Sequence, residues 1–414
     1  MLKSSRRKRS FDYMKKTVCE LFAGVGGFRL GLEKASDEWK TVWFSQWEPG
    51  KSKQWAHECY VSHWGDIDDR TGVDIASVDK NMIPDHNLLV GGFPCQDYSV
   101  ARPLTGSKGL EGKKGVLWWQ IRDTLEVKSV PFGLFENVDR LLKSPASQRG
   151  RDFGIMLACL ADLGYSAEWR VINAAEYGAA QRRRRVFIFA YKDDTNYGKR
   201  MDIVDAADVI SHDGFFARTF PIEEVESRIS QTNLDYLDIP EVSESFKFPF
   251  ENSGYMHKGR VYTVRTNPIE ENPVTLAQIL ERDVEEKYYL TGEKLEKWEY
   301  LKGSKKIERT NRSGYKYTFS EGAIAFPDPL DKPARTMLTS EGTTNRSSHV
   351  VRDPQTGRMR IITPIEAERI QGFDDNWTDT MPERMRYFCM GNALVVPMIT
   401  RMGRTLGMIF EGEA

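Results

Sequence analysis

Short, nearly continuous apolar runs separated by amphipathic stretches set the rhythm of the first half of the chain. Thr17–Phe22, Leu88–Gly92, Phe132–Glu136 and Arg185–Ala190 are such runs. Strands of this kind with helical stretches between them predict an α/β unit built on a buried, mostly parallel sheet. Beyond about Tyr191, from Lys192 to Arg358, turn residues are frequent and basic and aromatic side chains interleave, which predicts a smaller, irregular or β-rich unit. Helical pattern returns at Ile365–Ile370, with Thr363 placed as N-cap and Pro364 in the first turn.

Composition narrows the class. At 414 residues, with 40% apolar and 29% charged side chains, the chain is ordinary for a globular protein of more than one domain. It has no run of about 18 apolar residues and opens on Lys3-Ser4-Ser5-Arg6-Arg7-Lys8-Arg9 without a signal-peptide core, so a cytoplasmic location is expected. The basic tail reads as a solvated arm, with DNA contact as the alternative. The five cysteines are odd in number and form no CxxC, and the six histidines are scattered, so neither a disulfide framework nor a metal site is expected. The net charge of −1 means that a polyanionic partner would have to be met by a local basic surface.

Two turns carry candidate chemistry. Phe22-Ala23-Gly24-Val25-Gly26-Gly27 follows the first strand and opens a helix. Glycines there let a ligand approach closely, and free amides at the helix start favour a nucleotide-like cofactor. A plain strand-to-helix turn would use the same residues. Downstream, Trp47, Glu48, Asp66 and Ile67 are candidates for holding a ribose and base. The second turn, Gly91-Gly92-Phe93-Pro94-Cys95-Gln96, places a cysteine at a strand end on the same sheet edge. A thiolate so placed is a candidate nucleophile, a buried structural cysteine being the alternative.

With these turns, Glu136-Asn137-Val138, Gln181-x-Arg183-x-Arg185 and Gly391-Asn392 occur in the order and spacing of the DNA cytosine-5 methyltransferases, which the sequence resembles over nearly its whole length. The resemblance implies a Rossmann-like S-adenosylmethionine-dependent domain made of 1–195 and 373–414, with a target recognition domain inserted over 196–372. It implies that Cys95 adds to C6 of a flipped-out cytosine. It places Glu136 at N3 of the base and Arg185 at O2. Arg183 and Arg185 are expected to share a face by strand alternation, one meeting the base and the other a phosphate. By themselves, Glu136 also suits an ion pair or helix cap and Arg182–Arg185 a solvated patch. Asn137 is expected to hold the Cys95 turn.

The cofactor set is then Phe22, Gly24, Gly26, Gly27, Gln46, Trp47, Glu48, Asp66, Ile67 and Pro94, completed by Asn392 and Ala393 from the return segment. Gln46 stands where the family often has Glu, leaving open whether it or Glu48 holds the ribose, and Ala180 stands where a proline is common. Double-stranded DNA is the expected partner of a monomer, and a separate restriction endonuclease is a possible companion. DNA contacts are expected from Gln96, Ser99 and Arg102, on a loop closing over the duplex, and from Arg335, Thr336, Asn345 and Arg346. Lys297–Tyr317 is a second basic and aromatic stretch. The target sequence is not readable. The alternatives are a tRNA cytosine-5 methyltransferase, a catalytically silent DNA-binding protein, and a nicotinamide oxidoreductase, whose GxGxxG is absent.

Overall fold

In a computed structural model that describes residues 14–93, 117–225, 227–234, 242, 244–311 and 313–413, the apolar runs become strands covered on both faces. β1 (Thr17–Leu21), β2 (Lys40–Ser45), β3 (Leu88–Gly92), β4 (Phe132–Val138), β5 (Tyr165–Asn173), β6 (Arg184–Lys192), β7 (Ser230–Asn233), β8 (Ser253–His257) and β9 (Arg260–Val264) form one nine-stranded sheet, ordered β2-β1-β3-β4-β6-β5-β8-β9-β7. Helices α1 (Gly27–Ala35) and α2 (Trp55–Trp64) follow β1 and β2; α3 (Leu117–Lys128) and α4 (Arg151–Asp162) follow β3 and β4. Val186, Ile188 and Ala190 of β6 face the core shared with α3 and α4. Phe187, Phe189 and Tyr191 face the core built with α1 and the C-terminal helix Val396–Glu411. Both alternating sets are apolar, so the strand reads as unbroken.

The expected mostly parallel sheet needs correction. Only β2, β1, β3 and β4 pair in parallel, and every pairing from β4 to β7 is antiparallel. The ten residues between Asn173 and Arg184 are too few for the crossover that a parallel neighbour requires.

The sheet also continues past residue 196, since β8 pairs with β5. At the far end of the insert, helix Pro364–Gln371 is capped by Thr363, with Glu366 completing a capping box. That helix shares a core with Val25 and Leu30 beside the glycine turn. The C-terminal helix closes on α1 through small residues: a Cβ on Gly31 would lie 2.5 Å from Ile399, and one on Gly403 2.8 Å from Ala35. Between these parts sit two small sheets, β10 (Lys305–Thr310) with β11 (Lys316–Glu321), and β12 (Val350–Arg352) with β13 (Met359–Ile361). No single described helix is long and apolar enough to cross a membrane.

The end of the insert is fastened by a buried ion triad. Arg360 is fully buried; its Nε donates to Asp353 at 2.8 Å and its two Nη groups to Glu366 at 2.8 and 2.7 Å. Glu366 also accepts the N–H groups of Thr363 and Glu281. Arg360→Met leaves two buried carboxylates without their cation and is expected to cost about 3–5 kcal/mol. Arg360→Lys should recover only part, since an ammonium cannot fork to both partners. Urea unfolding checks this; midpoints equal to the parent's would refute it.

Candidate active site

β1 ends in backbone conformations that demand little side chain. Phe22, Gly24 and Gly26 have φ of 56°, 57° and 86°. A Cβ on Gly26 would lie 2.2 Å from the Trp64 ring, so glycine is obligatory there, whereas one on Gly24 would meet nothing within 4 Å. The space over Gly24 is bounded by a chain of hydrogen bonds. Gly24 N–H donates to Gln46 Oε1 (2.7 Å), Gln46 N–H to the Thr71 carbonyl (2.9 Å), and the Thr71 hydroxyl to Asp66 (2.6 Å), which also accepts the Ile67 N–H (2.8 Å). The chain brings Gly24, Gln46, Asp66 and Ile67 together. Trp47 and Ile67 beside it are left 38% and 41% exposed. Burial raises the Glu48 carboxyl, Lys51 opposing.

The return segment closes this turn from behind. The Trp377 indole N–H donates to the Val25 carbonyl (2.8 Å), and its ring stacks on His63 at 3.6 Å. A Cβ on Gly27 would meet Leu394 at 2.9 Å. Asn392 ends helix Glu383–Asn392 and Ala393 is its C-cap, so both lie at this junction.

On the neighbouring strands, β4 and β6 run antiparallel with Val138 opposite Arg185. Arg185 Nε meets Glu136 Oε1 at 2.8 Å, and both side chains are largely covered. A Cβ on Gly92 would lie 3.2 Å from the other Glu136 oxygen. Asn137, buried, donates to the Phe93 carbonyl at 2.8 Å, and Phe93 N–H reaches the Glu136 carbonyl at 3.3 Å. β4 therefore grips the chain just ahead of the cysteine turn, with Asn137 in the holding role expected of it. Pro94, Cys95, Gln96, Ser99 and Arg102 lie outside the described residues, as does the rest of the loop to Gly115.

Arg183 does not join Arg185 on one face. β6 begins at Arg184, so strand alternation does not reach back to it. Its side chain is buried and donates to the carbonyls of Met337 (3.1 Å) and Gly391 (3.0 Å). Burial pushes this guanidinium down to about 9, with Arg185 adding to the fall and Glu136 opposing it.

The C-5 cytosine-specific DNA methylase profile matches residues 16–408. The chain belongs to the C-5 cytosine-specific DNA methylase family. It is similar to Type II methyltransferase M.Sau3AI of Staphylococcus aureus, 51% identical over 401 residues covering 95% of each chain. It is also similar to Type II methyltransferase M.SsoII of Shigella sonnei, 25% identical over 94% of this chain and 79% of that one. The fold matches a crystal structure of S. pombe Dnmt2 methyltransferase, with a TM-score of 0.58 and 14% identity, covering 95% of this chain and 98% of that one. A Spodoptera frugiperda DNMT2 mutant matches similarly, at a TM-score of 0.56 and 13% identity over 95% and 99%. The activity of this methylase is S-adenosylmethionine-dependent methyl transfer to C5 of cytosine in DNA.

Residues expected to read bases have other partners in the methylase. Arg335 donates to Asp328 (2.6 and 3.1 Å) and to the Ser347 and Ser348 carbonyls (3.0 and 3.2 Å). Asn345 donates to the Ser340 carbonyl and Ser348 hydroxyl and accepts the Ser347 N–H. Arg346 donates to the carbonyls of Leu301, Gly303 and Gly322. Each is engaged by the protein's own loop carbonyls rather than projecting free from the surface. The Thr336 hydroxyl donates to the Arg182 carbonyl at 2.5 Å, beside the catalytic strand. No group of three or more His, Cys, Asp or Glu that could hold a metal occurs among the described residues.

Sequence reasoning passed over Glu20, which is buried at the end of β1 and accepts from the Tyr60 hydroxyl at 3.1 Å. A charged residue inside an apolar strand run was the available signal. Burial pushes its carboxyl up to about 8, Tyr60 and Arg29 partly offsetting this. The unfolded chain ionises near 4.5. The folded chain thus holds the proton longer, and stability from this group is lost as pH rises from the unfolded value through about 8. Glu20→Gln removes that loss. Its Tm advantage over the parent should grow from pH 5 to pH 8 in calorimetry; a gap that stays constant would refute the assignment.

Proposed function

We propose that the methylase modifies one specific sequence in double-stranded DNA, with Cys95 attacking C6 of an extruded cytosine and Glu136 and Arg185 holding the base. The observation that carries this reading is the Glu136–Arg185 pair at 2.8 Å, set against Gly92 at the entrance to the cysteine turn. Attack of the Cys95 thiolate forms the S–C6 bond and moves electron density toward N3 and C5. Glu136 meets N3 through a hydrogen bond, and Arg185, fixed by Glu136, donates to O2. After methyl transfer, C5 gives its proton to a solvent base, the S–C6 bond breaks with its electron pair leaving on sulfur, and the Cys95 thiolate is regenerated. Arg183 serves as a positioning residue rather than a substrate ligand.

The residues around Gly24 fit S-adenosylmethionine. Open space over a left-handed glycine, first-turn amides, two uncovered apolar side chains and a half-buried carboxylate match its amino-acid, ribose and adenine parts. When bound, this cofactor supplies an electrophilic sulfonium methyl. Phe22, Gly24, Gly26 and Gly27 would line its amino-acid end with Pro94, Asn392 and Ala393, while Trp47 and Ile67 cover adenine and Asp66 contacts the base. Because Gln46 Oε1 accepts from Gly24 N–H, its amide orientation is set and only NH₂ donors face outward. Glu48 then provides the acceptor for ribose hydroxyls, and Gln46 a donor.

On the DNA side, contacts with the target strand are assigned to Gln96, Ser99, Arg102 and Thr336, with Ser99 meeting a phosphate. The catalytic body takes in the sheet-bound stretch to Val264 and the helix from Pro364, leaving the recognition module between them. The protein acts as a monomer and is the modification partner of a separate restriction endonuclease, a role suggested by relatives named Type II methyltransferases.

Transfer of labelled methyl groups to duplex DNA and to tRNA, with mapping of the modified cytosines, tests the substrate; transfer to tRNA alone would overturn it. Cys95→Ser should abolish transfer while retaining cofactor binding. Glu136→Gln should lower kcat by about 10²–10⁴-fold. A Cys95→Ser protein that methylates DNA at the parental rate would sink the mechanism.

A further inference from the structure

The cations expected to read DNA are spent on holding one element in place. β10 and β11 pair in register from Lys305 opposite Glu321 to Thr310 opposite Lys316. Arg346 grips both ends of this hairpin, through Leu301 and Gly303 before it (2.8 and 3.1 Å) and Gly322 after it. Lys302, buried at the hairpin's foot, donates to the Ser348 carbonyl, which Arg335 also reaches. The loop carrying Ser348 leads back to Met337, whose N–H and carbonyl meet Gln181 and Arg183 beside the base pocket. The hairpin is therefore an arm with a buried, hydrogen-bonded root continuous with the catalytic strand.

Its outer part lacks packing on one side. One face carries Ile307 and Phe319, with the Arg309 guanidinium 3.9 Å over the Phe319 ring. The other carries Lys306, Glu308 and Thr310 opposite Ser320, Thr318 and Lys316, all six exposed and all able to hydrogen bond. By sequence, residues 305–321 hold five cations against Glu308 and Glu321, in a chain whose net charge is −1. A basic two-stranded ribbon with a wholly polar face matches the major groove, which is about 12 Å wide and admits such a ribbon.

We propose that the β10–β11 hairpin enters the major groove of duplex DNA and that Lys306, Glu308 and Lys316 on its polar face read base edges in the target sequence. This rests on the reading that sequence-specific duplex DNA is the substrate. Lysine suits guanine O6 and N7, a carboxylate accepts from cytosine N4, and the hydroxyls of the same face serve either.

The test compares kcat/KM on the mapped target with that on duplexes carrying single base changes, for the full chain and for the Lys306→Ala/Glu308→Ala/Lys316→Ala protein. The variant is expected to lose about tenfold or more of the parent's discrimination at one or more positions. Its Tm and its binding of S-adenosylmethionine should match the parent's. Unchanged discrimination would overturn the proposal, whether the rates fall uniformly, as for backbone contact alone, or not at all. Should the triple variant melt early, Glu308→Gln and Lys316→Gln carry the same readout singly. A parent chain that methylates no defined duplex sequence would instead refute the substrate reading itself.

Discussion

A guanidinium withdrawn from water must find acceptors, and Arg183 finds one in each segment that has to meet the catalytic strand. Met337 and Gly391 lie 154 and 208 residues further along the chain. A single buried cation thus ties three distant stretches of chain at the edge where Glu136 and Arg185 sit. The seam is lengthened by Ala334 and Ala180 (2.8 Å), Arg182 and Ala334 (2.8 Å), and the Gln181 side chain with Met337 N–H (3.0 Å). Its geometry tolerates little change: a Cβ on Gly391 would lie 2.4 Å from the Leu338 backbone.

The sheet was legible because apolar runs bounded by turns report strands directly, and β1, β3, β4 and β6 fall where those runs lie. The N-cap at Thr363 was legible too, since it follows from local chemistry at short range. Strand direction was not. It depends on how many residues join β5 to β6, a count that matters only once their adjacency is known. Nor was the extent of the sheet, because β7 to β9 are short and half polar, like the turns around them.

Side-chain burial was the larger gap. Arg183 reads as a substrate ligand, Arg335 and Arg346 as DNA contacts and Lys302 as one of a basic stretch, yet each donates to carbonyls of the protein's own loops. A sequence shows the charge but not the unpaired backbone oxygen it must satisfy. Burial pushes Lys302 down to about 8, Asp328 partly offsetting this, which marks how far its ammonium has left water. The same reasoning explains why Glu20 was missed: a carboxyl inside an apolar strand looks like an exception until Tyr60 is seen to reach it.

These buried charges give the methylase a particular division of labour. Ion pairs and cation–carbonyl contacts taken out of water add little net stability over apolar packing, but they cost much when one partner is removed. They therefore penalise wrong arrangements more than they reward the right one. Arg360 does this at Asp353 and Glu366, Arg183 for the seam, and Lys302, flanked by the half-buried Arg335 and Arg346, for the root of the hairpin. Together they fix, relative to the Glu136–Arg185 pair, a polar ribbon that makes few contacts of its own. An element whose outer face must remain free for a ligand cannot be held by packing on that face; it has to be held at its root, and the chain spends its buried cations there.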